Sequence, residues 1–209
     1  MLAGTDAPLS EHDTEDEARE RLAQYARGAA AAAASTLETG IPRGERVALP
    51  DGTEIIVRTV NAEDKALLLA GFEELGDVSR YQRFLSTKKR LSMGELAYFT
   101  EVDHAAHEAV GAIDPATGGG VGIARYIRDE AVPDCAEAAV AVADAWQGRG
   151  VGGVLLGALA ARARDAGITA FTAALLTSNK PMLALFAKLG DAEIHHDEGQ
   201  VSVLRVPLR

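Results

Sequence analysis

Two features hold residue types that can do chemistry. The first is the run Gln147-Gly148-Arg149-Gly150-Val151-Gly152-Gly153. Spaced glycines let a backbone approach a ligand closely, and a helix that starts behind them points its free N–H groups outward. Arg149 adds a fixed positive charge. Together they predict an anion site, since tight packing alone needs fewer glycines and no arginine. The second feature is Glu137, an acid inside the apolar stretch Ala136 to Ala143. A charge among apolar residues is costly without purpose. Partly buried, such a carboxyl rises toward the working range of a general base; a solvated place at the strand mouth is the alternative.

The kind of anion can be narrowed. Gly148, Gly150 and Gly153 match the dinucleotide spacing G-x-G-x-x-G, but the motif starts at position 148 of 209, which leaves little chain for further parallel units. The stretch Phe171 to Leu176, where a ribose-binding acid would stand, has none. No Gly-Lys-Ser/Thr follows, so a P-loop is excluded as well. Other reactive side chains read as structural. Cys135 has no histidine placed beside it and is expected to be a small buried hydrophobe. His104 with His107, and the run His195-His196-Asp197-Glu198, lack a second ligand cluster; both are expected to be surface histidines, with no metal.

These residues need elements to position them. The spacing predicts strands over 54–60, 108–113, 121–127, 136–143 and 169–175, and two more flanking the turn Asp197-Glu198-Gly199. Helices are expected over 61–75, 77–85, 92–99, 147–166 and 181–189, with Gly167-Ile168 capping the fourth. The order predicts an α+β (mixed α/β) domain over 47–209. Before it, residues 1–46 read as an acidic, alanine-rich helical extension, with a capping box at Thr14-Glu15-Asp16-Glu17. Residues 1–40 hold eight acids and three bases, half of the net charge of −10. That acidity argues against a nucleic-acid partner. No run of about 18 uncharged apolar residues is present, so no membrane span is expected. The acidic start does not read as a signal peptide, and a single cysteine fits a reducing, cytoplasmic setting.

Gln147-Gly148-Arg149-Gly150-Val151-Gly152 resembles the Q/R-x-x-G-x-G/A loop of the GNAT superfamily of acyl-CoA N-acyltransferases. Ser178-Asn179 with Phe186, Leu189 and Gly190 is similar to its second coenzyme-contact segment, and the likeness spans roughly Thr53 to Arg209. It implies a central, mostly antiparallel sheet with splayed middle strands and flanking helices. It also implies acetyl-CoA as acetyl donor, its diphosphate on Gln147, Gly148, Arg149, Gly150, Val151 and Gly152, and its pantetheine beside Val140 and Val142. Asn179, Met182 and Phe186 would complete that surface, and the Val142 N–H would polarise the thioester. Many members carry a tyrosine where this chain has Phe186, so that acid is missing here. Ala136-Glu137-Ala138-Ala139-Val140 and Ser79-Arg80-Tyr81-Gln82-Arg83-Phe84 further resemble the Pat-type protein lysine acetyltransferases. By that likeness Glu137 is the general base, and Ser79, Tyr81, Arg83 and Phe84 border the acceptor. The length of 209 residues leaves no room for the regulatory domains of some members.

The chemistry agrees. A lysine amine of pKa about 10.4 is neutral only about once in 2,500 molecules at pH 7. A positioned carboxylate that takes the proton contributes on the order of 10² to 10⁴ in rate. The expected acceptor is a protein lysine. The alternatives are a small amine, such as an antibiotic or polyamine, and a non-catalytic coenzyme-binding module that docks through the alanine-rich helix.

Overall fold

A computed structural model describes residues 44–196 and 200–209. The expected N-terminal helical extension and the turn 197–199 lie outside the described residues. Eight strands form one sheet: β1 (Glu45–Ala48), β2 (Glu54–Thr59), β3 (His107–Ile113), β4 (Gly120–Arg128), β5 (Cys135–Val142), β6 (Ala170–Leu176), β7 (Glu193–His196) and β8 (Val201–Pro207). Their order is β1-β2-β3-β4-β5-β6-β8-β7. Every neighbouring pair is antiparallel except β5 and β6. The helices are α1 (Lys65–Glu73), α2 (Asp77–Phe84), α3 (Met93–Thr100), α4 (Val151–Asp165) and α5 (Lys180–Phe186). The mixed α/β sheet expected from the sequence is therefore present.

Strand alternation sorts the two faces. Ala124, Tyr126, Ala136, Ala138 and Val140 pack with Leu155, Leu156 and Leu159 of α4 in the larger core. Each such leucine contributes roughly 1.5–3 kcal/mol on burial. The opposite face carries α1, α2 and α3; Leu69 and Phe72 of α1, Leu96 of α3, and Leu75 and Leu91 of the connections form a second cluster, with Phe84 of α2 packed against it. Local signals fix the helix ends. Asn61 and Ser92 each head a capping box, closed by Asp64 and Glu95. Gly167 has φ +79° and the Ile168 N–H bonds the Ala163 carbonyl, the expected glycine cap of α4.

Three expectations shift. β1 was not expected, and it starts at Glu45, across the predicted boundary between 46 and 47. The first predicted helix opens with a 3-10 turn over Ala62–Asp64 before α1 begins. The helix predicted from Gln147 begins at Val151, because Gly148 and Gly150 take left-handed φ of +73° and +100°. Among the described residues, no helix is long and apolar enough to cross a membrane.

Candidate active site

Gly150 caps α4 without a side chain, and its carbonyl receives the N–H groups of Gly153 and Val154. The amides of residues 148–152 have no backbone partner among the described residues. Five free N–H groups at a helix start fit the phosphates of a nucleotide-like ligand. The Arg149 side chain, expected to add its charge to the cradle, has partners of its own. It bonds Asp51 at 2.8 Å and Thr53 Oγ1 at 2.6 Å, and it stacks on Trp146 at 4.3 Å. Its charge braces the β1–β2 turn against the loop. Asp51 is correspondingly held at a pKa of about 2, first by the Thr53 N–H and then by Arg149.

The loop continues into a gap in the sheet. β6 pairs with β5 only at Cys135, Ala136 and Glu137. The Ala143 N–H bonds the Val121 carbonyl at 3.0 Å, which fixes the alternation of the β4–β5 ladder. Odd residues of β5 turn their N–H and C=O toward β4, and even residues turn theirs toward β6. The N–H groups of Val140 and Val142 therefore open into the gap. A Cβ on Gly152 would meet Leu185 at 3.2 Å and Val142 at 3.7 Å, so glycine keeps this floor thin. These groups fit the amides and carbonyls of a pantetheine chain.

Glu137 stands at the last paired position, opposite Thr172, where the strands begin to part. It is exposed, the solvated place at the strand mouth that was the alternative to a partly buried one. Its side chain shares the α1–α3 face with Arg125 and Ile127 of β4, since Ile127 is its partner across the ladder. His107 is the partner of Ile127 on the other side. Of these residues, Arg125 lines a cavity of about 90 Å³ between α1, α2, α3 and the sheet.

Arg83 and Phe84 line that cavity, whereas Ser79 and Tyr81 do not. Ser79 instead accepts from Gln147 Nε2 at 3.0 Å, and Tyr81 is exposed. The same Gln147 nitrogen reaches the Val142 carbonyl and Asp144, each at 3.1 Å. Asp144 accepts from the Gly76 N–H at 3.2 Å. Asn179 caps α5 through the Met182 N–H and is buried. Met182 is partly buried against the core. Phe186, expected against the coenzyme, is 0% exposed, because α5 turns its apolar face into the core. Cys135 is buried, as expected.

The sequence reading missed Arg125 and Tyr98 and put His107 at the surface. Arg125 is 4% exposed; it donates to His107 Nε2 at 3.1 Å and to the Phe99 carbonyl at 3.2 Å, and it lies over the Phe99 ring at 4.4 Å. Burial first, and the Arg83 charge second, lower its pKa to about 9. His107 is not the expected surface histidine. Its ring packs on Tyr98 at 5.1 Å, and burial, then Arg125, lower its pKa to about 4. No group of three or more metal-capable side chains occurs among the described residues.

The profile of the Acetyltransferase (GNAT) family matches residues 80–191. The chain belongs to that family. Its members are N-acetyltransferases, and the splayed gap, loop and flanking helices are the family's fold in this chain. It is 33% identical over 186 residues to "Acetyltransferase Pat" of Mycolicibacterium smegmatis, covering 87% of this chain and 52% of that protein. The chain thus spans about half the length of that curated relative. Among solved structures, the GNAT domain of S. lividans PAT shares 33% identity and a TM-score of 0.73, over 78% of this chain and 96% of that one. A cAMP-binding acyltransferase from Mycobacterium smegmatis shares 30% identity with a TM-score of 0.57, over 91% of this chain and 52% of that one.

Proposed function

We propose that this GNAT chain transfers an acetyl group from acetyl-CoA to the side-chain amine of a protein lysine by direct attack, with Glu137 as general base. One observation supports the reading most. The unpartnered amides of residues 148–152 run on into the gap that receives the Val140 and Val142 N–H groups, and the gap closes at Glu137.

Acetyl-CoA supplies the activated acyl group. The loop amides hold its diphosphate, and the strand amides of β5 align its pantetheine. The Val142 N–H faces the thioester oxygen and receives its developing negative charge. Glu137 takes the proton of the arriving ammonium, directly or through one water. No side-chain acid is needed for the departing thiolate, which solvent can protonate.

Replacing Glu137→Gln should leave calorimetric acetyl-CoA binding nearly unchanged and lower thiol release with lysine peptides at least a hundredfold. Near-normal turnover would remove Glu137 as the base. Absence of any heat with acetyl-CoA, on folded protein, would remove the donor assignment. Tight coenzyme binding without thiol release over lysine peptides, polyamines and amino acids would indicate a binding module instead.

A further inference from the structure

The cavity under α1, α2 and α3, on the sheet face that also carries Glu137, has an unusual charge balance. Its charged lining residues are Arg58, Asp64, Arg83 and Arg125, a formal +2 in a chain of net charge −10. The acid is already taken. Arg58 grips Asp64 with two bonds, 2.7 and 2.6 Å long, and the Asn61 N–H adds a third at 2.9 Å. Arg83 and Arg125 remain. Neither bonds a carboxylate among the described residues. Arg83 rests over Phe84 at 5.1 Å, Arg125 rests over Phe99 at 4.4 Å, and those two rings lie 6.4 Å apart. Two guanidiniums on adjoining rings, facing one cavity, repel each other; the Glu137 carboxylate acts on Arg83 through its charge, without a bond, and leaves the pair with a surplus positive charge. Buried cations are ordinarily paired, and guanidinium forks match carboxylate geometry.

A cationic amine alone would be repelled by such a pocket. An amine that brings its own anion would be drawn in, its anion between the arginines and its nitrogen toward Glu137. We infer that Arg83 and Arg125 form a carboxylate-recognition site, so that the favoured acceptor is an amine with a carboxylate close by. This refines the acceptor class of the proposed function and rests on that reading for its orientation. A free amino acid and a lysine peptide with an acidic neighbour share this chemistry. An acyl donor with a terminal carboxylate is disfavoured, because the gap amides lie in the plane of the sheet whereas both arginines share the face of Glu137.

The test compares matched pairs at fixed acetyl-CoA: leucine against leucinamide, and a lysine peptide flanked by glutamate against the same peptide flanked by glutamine. The expected result is a kcat/KM at least tenfold higher for the carboxylate member of one pair, and the pair that discriminates identifies the source. Arg83→Gln and Arg125→Gln should each reduce that ratio about tenfold or more, and Arg83→Lys should restore part of it, with folding checked by circular dichroism. Thermal shift with the same pairs needs no turnover. Stabilisation by the carboxylate member in wild type but not in Arg83→Gln, without acetyl transfer, would keep the site and refute the enzymatic reading. Equal kcat/KM and equal shifts within both pairs would overturn the inference. So would a carboxylate preference that both glutamine variants retain, or a preference expressed only through succinyl-CoA as donor.

Discussion

His107 shows how much a single ring can report. Arg125 donates to its Nε2, so that nitrogen carries no proton and the ring is neutral. Its pKa falls from 6.5 to about 4 in the fold. Between those values the unfolded chain binds the proton and the folded chain does not. This contribution to stability is therefore complete above about pH 6.5 and is lost as pH falls toward 4. For a half-buried ring the loss is on the order of 1–2 kcal/mol. His107→Gln retains an acceptor but no titration. Urea midpoints should fall less between pH 7.5 and 4.5 in that variant than in wild type; parallel falls would show that the ring is not held neutral. Glu137 and Arg83 were legible in the sequence because they stand in recognisable segments. Arg125 was not, although Ile123-Ala124-Arg125-Tyr126-Ile127 offers the same signal as Glu137: a lone charge in an apolar strand. What could not be read was its distant partner, His107, which only the β3–β4 ladder brings alongside.

At the scale of elements, the glycine loop is shaped by conformation as much as by space. Gly148 and Gly150 both hold left-handed φ, which costs a side-chain-bearing residue about 1–2 kcal/mol. A Cβ on Gly148 meets nothing within 4 Å, whereas one on Gly150 meets Pro50 at 3.0 Å. Gly148→Ala should therefore cost only the backbone strain. Gly150→Ala should cost more, and should weaken acetyl-CoA binding at least tenfold because α4 can no longer start at Val151. Denaturant midpoints and calorimetry measure the two effects; equal losses would deny the Pro50 contact any role. Most elements were readable from periodicity and caps. β1 was not, because Glu45-Arg46-Val47-Ala48 has neither length nor an apolar face, and its pairing with β2 alone makes it a strand. The start of α4 was misplaced for a related reason, as the residue type does not state the sign of φ at each glycine.

Over the whole molecule, the sheet is two halves joined at three parallel positions, Cys135, Ala136 and Glu137. β6 and β8 share seven paired positions, and β4 and β5 also share seven. Hydrogen exchange should follow that division. The amides of Val140 and Val142 face the gap and should exchange much faster than those of Ala139 and Ala141, which bond to β4. Saturating acetyl-CoA should slow the valines selectively; uniform rates along β5 would contradict the alternation. Across the same molecule, the side-chain amide of Gln147 is a crossbar. It ties the end of β5 to Ser79 on α2, so the loop proposed to cradle the diphosphate and the helix whose Arg83 lines the cavity share one fastening. On the proposed reading, donor and acceptor do not meet independent surfaces: a new acceptor preference written into the first turn of α2 would also unsettle the seat of the coenzyme.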